Sequence, residues 1–139
     1  VPILNIVDAV ASEVHATDHA PRILGLLSTD GTAKAGVYGA LEDRGDTVLD
    51  LTDLGEENPT SRGIRAVKAG DLRGGQQLFE EAIDLLVQRG AEGIVFGCTE
   101  VSAVLGGTNL EGDVPMWDAS EALARACAAH FGKSRGERG

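Results

Sequence analysis

The sequence has few cysteines, histidines and aromatic residues, and their scarcity argues against some classes of protein. Its 139 residues include 2 cysteines, 3 histidines and only 4% aromatic residues. Two cysteines are too few for a disulfide framework, which favours a reduced, cytoplasmic setting. No pair of cysteines or histidines has the spacing of metal ligands, so we expect no metal site.

Long apolar runs and excess positive charge are also missing. The longest apolar run, around Gly93–Cys98, is shorter than the roughly 18–20 residues that cross a bilayer, so we expect no membrane partner. With 12 Lys and Arg against 22 Asp and Glu, the formal net charge is −10. That balance argues against nucleic acid, because phosphate binding needs clustered cations. A small anionic ligand needs only one local cation and a few N–H groups.

The pattern that is present is an alternation of apolar strands and helices. It predicts an α/β fold, a mostly parallel sheet with helices on both faces. We expect one domain over 1–131 and a disordered tail over 132–139. The expected strands are 2–7, 22–27, 47–51, 93–96 and 114–117. The expected helices are 9–17, 33–44, a short one around Lys68 capped by Thr60 or Ser61, 74–88, 101–105 and 119–131, with a loop over 55–61.

Two turns follow the buried strands 22–27 and 93–96, at the edge where such sheets bind ligands. The first, Ser28–Thr32, offers three hydroxyls and several N–H groups that suit a carboxylate or a phosphate. It lacks the glycine spacing and the Lys of a P-loop, and capping of the next helix by Asp30 or Thr32 is the commoner role. The simplest interpretation of Lys68 is that it is a solvated surface lysine.

Cys98 lies in the second turn, Gly97–Glu100. Cys98 comes directly after a buried strand and before a helical turn. The N–H groups that follow it and the helix dipole would therefore stabilise its thiolate. Such a thiol can act as a nucleophile or as a proton donor and acceptor, and the alternative is an inert buried cysteine. The histidines do not lie beside Cys98 in the sequence: His15 and His19 are expected as ordinary surface residues at a helix end, and His130 lies near the C-terminus. This disfavours a Cys–His hydrolase. Cys127 is expected in the core.

Together these segments resemble the Asp/Glu racemase superfamily, in the form seen in aspartate racemases. That superfamily also includes hydantoin racemases, maleate isomerases and arylmalonate decarboxylases. The chain is similar to the second of the two lobes plus the return helix. The matching segments are 2–8, the Thr-x-Gly-Thr loop at 29–32 with Gly36 and Tyr38, 64–70 with Lys68, the Gly-Cys-Thr-Glu motif at 97–100, and 114–123.

The resemblance implies a cofactor-free racemase acting on aspartate or a related acidic amino acid. In this family two cysteines, one from each lobe, move a proton at the substrate's α-carbon. It implies that Cys98 is one of these thiols and that Thr29, Thr32, Thr99 and Lys68 hold substrate carboxylates. No stretch of this sequence resembles the first-lobe cysteine motif.

Several alternatives remain open. One is a single-cysteine decarboxylase or cis-trans isomerase of the same superfamily, and another is a non-catalytic module that binds carboxylates. The first-lobe thiol could also come from another chain, and the family often forms homodimers. Because the first-lobe cysteine is missing, we expect the chain to be inactive alone. Because the sequence also begins at Val1 rather than Met, we expect it to start inside a longer chain.

Overall fold

The computed structural model describes residues 6–16, 22–34, 36, 38–42, 45–105 and 114–137, without the side chains of residues 32, 34, 40 and 130–137. Within these ranges the chain alternates between helices and parallel strands, as an α/β fold requires. The helices are α1 Ile6–His15, α2 Asp30–Lys34, α3 Gly39–Glu42, α4 Pro59–Lys68, α5 Leu72–Gln88, α6 Thr99–Leu105, α7 Ala119–Glu137 and a 3₁₀ helix, Thr52–Glu57. The strands are β1 Ile23–Leu27, β2 Thr47–Leu49, β3 Gly93–Phe96 and β4 Met116–Asp118.

The four strands form a parallel sheet in the order β2-β1-β3-β4. Leu24 of β1 pairs with Val48 of β2 and with Gly93 of β3, and Ile94 of β3 pairs with Met116 of β4. From β1 the chain moves outward to β2, then α4 and α5 carry it back across β1 to β3. The connections that follow β1 and β3 therefore leave in opposite directions, which opens a crevice between the carboxyl ends of these strands.

Helices cover both faces of the sheet and bury a separate apolar cluster on each. On one face, called here the α4–α6 face, Phe79, Ile83 and Leu86 of α5 pack with Ile94 and Phe96 of β3. The opposite face, called the α1–α7 face, has its own set of buried residues. Its cluster includes Val10, Val14, Leu24, Leu26, Tyr38, Leu41, Val95, Trp117 and Ala122. Alternate strand residues enter opposite clusters, as the period of two in a strand requires.

Helices α4 and α5 are fixed by side-chain caps and by a close contact. Asn58 accepts a hydrogen bond from Thr60 N at 3.0 Å, and Asp71 accepts one from Gly74 N at 2.9 Å, so each helix begins at a capping residue. At Gly63 an added Cβ would lie 2.6 Å from the Phe79 ring. Only glycine lets the two helices approach this closely.

The structure confirms the fold class and corrects several local predictions. Ile6 and Val7 belong to α1 rather than to a strand; the rest of that expected strand lies outside the described residues. In place of the expected helix 33–44 there are two short helices, α2 and α3, because Gly36 between them has a positive φ of 69° that a helix does not allow. The expected loop 55–61 holds the end of the 3₁₀ helix and the start of α4, whose cap is Asn58 rather than Thr60 or Ser61.

The last helix is longer than the sequence predicts. Helix α7 extends past Phe131 to Glu137, so the expected tail is helical over 132–137. A search of the described residues finds no helix with the length and apolar content needed to cross a membrane.

Candidate active site

The crevice between β1 and β3 brings together the two turns that the sequence singles out. Gly97 N donates a hydrogen bond to Leu27 O at 2.8 Å, which joins the end of β3 to the end of β1. A Cβ at Gly97 would lie 3.3 Å from Leu27 O and 2.9 Å from Leu26 Cδ1. Glycine at this position therefore permits the close approach that sets Cys98 beside the Ser28–Thr32 segment.

Cys98 is half-buried and unpaired to any other cysteine. Burial raises the pKa of its thiol, and the nearby Glu100 carboxylate raises it further, whereas hydrogen bonds from the N–H groups of Val101 and Glu100 lower it. The net direction is upward. The N–H groups at the start of α6 favour the thiolate, but desolvation and a neighbouring negative charge outweigh them.

Glu100, two residues after Cys98, contacts Lys68, which lies 32 residues earlier in the sequence. Its carboxylate accepts a hydrogen bond from Thr99 Oγ1 at 3.2 Å. Lys68 Nζ lies 3.8 Å from Glu100 Oε1. These contacts hold the pKa of the Glu100 carboxyl below its ordinary value; the main cause is its own backbone N–H group. Lys68 thus approaches the cysteine turn through Glu100.

The hydroxyl-bearing turn is continuous with α2. Thr29 is partly buried, Asp30 begins α2, and the backbone of Thr32 lies within that helix. Asn58, which is buried, donates from Nδ2 to Asp30 Oδ1 at 3.3 Å and so ties α2 to the start of α4. Thr29 and Asp30 also line a cavity of about 370 Å³, completed by Gly55, Glu56, Ser61, Ile64 and Arg65. Cys98 and Lys68 do not line this cavity, which extends from the Thr29 side of the crevice.

Two buried polar residues near Cys98 are absent from the sequence-based candidate list. Tyr38 is 4% exposed and Asp118, at the end of β4, is 8% exposed. Burial raises the pKa of the Tyr38 hydroxyl, and the negative charges of Cys98 and Asp118 raise it further. The sequence could have indicated Tyr38, because it belongs to the segment that resembles the substrate loop of the family. Asp118 had only its position at the end of an expected strand.

The histidines contribute no described contact to Cys98. His15 is exposed at the end of α1, as expected, and its Nε2 lies 2.8 Å from Oδ2 of the buried Asp46. His19 and the side chain of His130 lie outside the described residues. Cys127 is partly buried on α7 rather than fully in the core. In the described ranges no group of three or more His, Cys, Asp or Glu side chains is arranged to hold a metal ion.

This fold and site define a class of protein: a parallel α/β domain with a cysteine at the topological switch point, which is the crevice between β1 and β3. The sequence model of the Asp/Glu/hydantoin racemase family matches residues 1–127. The chain therefore belongs to that family.

Solved structures agree with this assignment. Two solved structures are similar: Picrophilus torridus aspartate racemase, with a TM-score of 0.74 and 25% identity over 93% of this chain, and an aspartate racemase homologue from Pyrococcus horikoshii OT3, with a TM-score of 0.74 and 28% identity over 91%. An uncharacterized protein in the pnlA 3′ region of Pectobacterium carotovorum subsp. carotovorum is 34% identical over 84 residues, 59% of this chain. The chain spans about half of each relative, 52% and 54% of the two structures and 55% of the third protein.

Proposed function

We propose that this chain forms the second-lobe half of the active site of a cofactor-independent racemase for aspartate or a related acidic amino acid. Cys98 transfers a proton to or from the substrate's α-carbon. Thr29, Thr32 and Thr99 hold substrate carboxylates through hydroxyl and N–H groups, and Lys68 pairs with one of them. A second thiol, on a first lobe, acts on the opposite face of the α-carbon.

The observation that carries this proposal is the convergence at the crevice. Thr29 follows β1, Cys98 and Thr99 follow the adjacent β3, and Lys68 approaches their turn from α4. A proton donor, hydroxyl groups and a cation are the groups that a racemase of an acidic amino acid needs. The site also provides electrostatic stabilisation for a carbanion, since an α-proton is removed only where preorganised donors hold the developing charge.

Lys68 is available for a substrate carboxylate. Its side chain is 65% exposed, and its 3.8 Å contact with Glu100 is at the long end of an ion pair. Exposed pairs of this kind contribute little free energy, so a bound carboxylate can take the lysine over at small cost. This agrees with the net negative charge of the chain, because an anionic substrate then needs a local cation.

A second candidate function is a single-thiol enzyme of the same superfamily, a decarboxylase or cis-trans isomerase. It is favoured by one observation: Cys98 is the one cysteine at the carboxyl edge of the described sheet, since Cys127 lies on α7. A raised thiol pKa suits this chemistry, which needs a thiol that donates a proton. A module that binds carboxylates without turnover would keep the same pocket.

The test is exchange of the α-proton of D- and L-aspartate for solvent deuterium, followed by proton NMR. We expect no exchange with the chain alone, and exchange when it is joined to a first lobe that carries the partner cysteine. In that two-lobed form Cys98→Ser should reduce exchange by ~100-fold or more, because general acid–base groups contribute factors of this size.

The matched control, in the same two-lobed form, is Cys127→Ser. It removes the other cysteine of this chain and should leave exchange unchanged. Exchange that survives Cys98→Ser would contradict the role of Cys98. Exchange by the chain alone at enzyme-like rates would contradict the two-thiol proposal and favour the single-thiol enzyme.

A further inference from the structure

The cavity on the Thr29 side of the crevice carries charges of both signs. Arg65 contributes a positive charge to its lining, and Asp30 and Glu56 contribute negative charges. Its volume of about 370 Å³ is at the lower end of the range for small-molecule sites. The proposed function uses Thr29 from this lining, but none of the three charged residues.

One buried side chain, that of Asn58, holds the walls of the cavity together. It is 2% exposed, and its Oδ1 accepts a hydrogen bond from Thr60 N in the first turn of α4 at 3.0 Å. Its Nδ2 donates to Asp30 Oδ1 at 3.3 Å, and its backbone N–H donates to Gly55 O at 3.1 Å. Helix α2, the 3₁₀ helix and α4 therefore meet at this residue, which also orients the Asp30 carboxylate.

Helix α4 offers two cations one turn apart. Arg65 and Lys68 are separated by three residues, so their Cβ atoms lie about 5–6 Å apart on one side of the helix. Arg65 lines the cavity, whereas Lys68 contacts Glu100 in the cysteine turn. None of the ion pairs within the described residues involves Arg65. The two cations have a spacing that the carboxylates of one short dicarboxylic acid can span.

The register of the sheet connects the cavity to the cysteine. Leu27 of β1 pairs with Phe96 of β3, and two residues further along each segment are Thr29 and Cys98. The hydrogen bond from Gly97 N to Leu27 O, 2.8 Å long, continues this pairing past the end of the strands. Thr29, which lines the cavity, therefore lies next to the cysteine turn. A substrate with its α-carbon at Cys98 can extend past Thr29 into the cavity.

We infer that Arg65 and Asp30 determine specificity for an acidic amino acid: Arg65 binds one of its carboxylates, and Asp30 accepts a hydrogen bond from its ammonium group. The inference rests on the proposed function and goes beyond it by assigning a second cation and the group that recognises the amino nitrogen. A plain dicarboxylate would meet two carboxylates, Asp30 and Glu56, and one cation in the cavity. The ammonium group of an amino acid offsets this excess of negative charge.

The experiment is an NMR titration of the isotope-labelled chain with L-aspartate and with succinate. Succinate is aspartate without its amino group, so the ratio of the two dissociation constants isolates the contribution of the ammonium group. Aspartate should bind ~10-fold more tightly than succinate, because a hydrogen bond between charged groups contributes a factor of this size. The amide signals of Gly55 and Ile64, which line the cavity, should move with both ligands.

Two variants separate the two roles. Asp30→Asn keeps an acceptor for Asn58 but removes the charge, so it should weaken aspartate binding ~10-fold without weakening succinate binding. Arg65→Met keeps the aliphatic length and should weaken both ligands by ~10-fold. The matched control is Arg62→Met, which removes the same charge from an exposed residue of α4 that does not line the cavity. It should leave both dissociation constants within ~2-fold of the wild type, because distant exposed charges are screened.

Each outcome bears on the inference separately from the proposed function. Equal losses in Arg65→Met and Arg62→Met would overturn the role of Arg65, because the effect would then be one of net charge. A preference for aspartate that survives Asp30→Asn would overturn the role of Asp30. No binding in the millimolar range, or amide shifts only outside the cavity, would overturn the whole inference. The exchange experiment with Cys98→Ser would still test the role of the sulfur. Arg65 is exposed, so its variant gives a result even if Asp30→Asn were to unfold the chain.

Discussion

The two faces of the sheet contribute to the candidate active site in different ways. On the α4–α6 face, Lys68 lies on α4, which is capped by Asn58 and packs closely against α5 where Gly63 meets Phe79. Glu100 lies in the first turn of α6. On the α1–α7 face, the contributions come from Tyr38, which precedes the four-residue α3, and from Asp118 at the end of β4. The first face thus positions its groups by helix packing, and the second by single buried polar residues.

The largest expected effect tests the packing of the α4–α6 face. Phe79 is fully buried and lies against Gly63 of α4. Phe79→Ala should lower the free energy of unfolding by about 3–5 kcal/mol, because it removes apolar contacts and leaves a cavity. Chemical denaturation measures this, and Leu72→Ala, at a residue 58% exposed on the same helix, is the matched control. A loss no larger than that of the control would show that α4 is not held by this contact.

The next effect tests how Asp118 is used on the α1–α7 face. Its Oδ1 accepts hydrogen bonds from Ser120 N at 2.9 Å and Glu121 N at 3.3 Å, so it caps α7. Asp118→Ala should cost about 1–2 kcal/mol of stability, whereas Asp118→Asn keeps an acceptor and should cost less. Fluorescence of Trp117, the only tryptophan, follows unfolding. If both variants lose the same stability, the charge rather than the cap is what matters.

Local sequence pattern predicts some of these elements and not others. Strands β1 and β3 are short continuous apolar runs, and the turns that carry Thr29 and Cys98 follow them directly, so local pattern predicts both. The run that ends at Ile6 and Val7 is also apolar, but Val7, Val10 and Val14 are buried with helical spacing. Short apolar runs do not distinguish a strand from a buried helix.

Contacts between segments that are distant in the sequence could not be predicted from local pattern. Strand order makes β1 the neighbour of β3, and this places Thr29 beside Cys98. Tyr38 and Asp118 meet the cysteine only through the folded topology, and the contact between Lys68 and Glu100 spans 32 residues. The resemblance to the family supplied Lys68 as a candidate, but not the carboxylate that it contacts. The substrate roles of Thr29, Thr32, Lys68 and Thr99 stay predictions.

The smallest expected effect at neutral pH concerns Tyr38, the only tyrosine in the chain. Burial, with the negative charges of Cys98 and Asp118, raises the pKa of Tyr38 above its ordinary value of 10.0. As the pH rises through that value the unfolded chain releases this proton first, so the folded state binds more protons and the free energy of unfolding decreases. Tyr38→Phe should change stability by less than about 1 kcal/mol at neutral pH.

Above about pH 10 the variant should lose stability less steeply than the wild type, because phenylalanine has no proton to release. Urea denaturation at a series of pH values measures both slopes. A matched Cys127→Ser variant, which changes a side chain on α7, should leave the contribution of Tyr38 intact. Equal slopes in Tyr38→Phe and the wild type would mean that the hydroxyl ionises as freely in the fold as in the unfolded chain. The α1–α7 face would then contribute packing to the cysteine site, but no electrostatic effect through Tyr38.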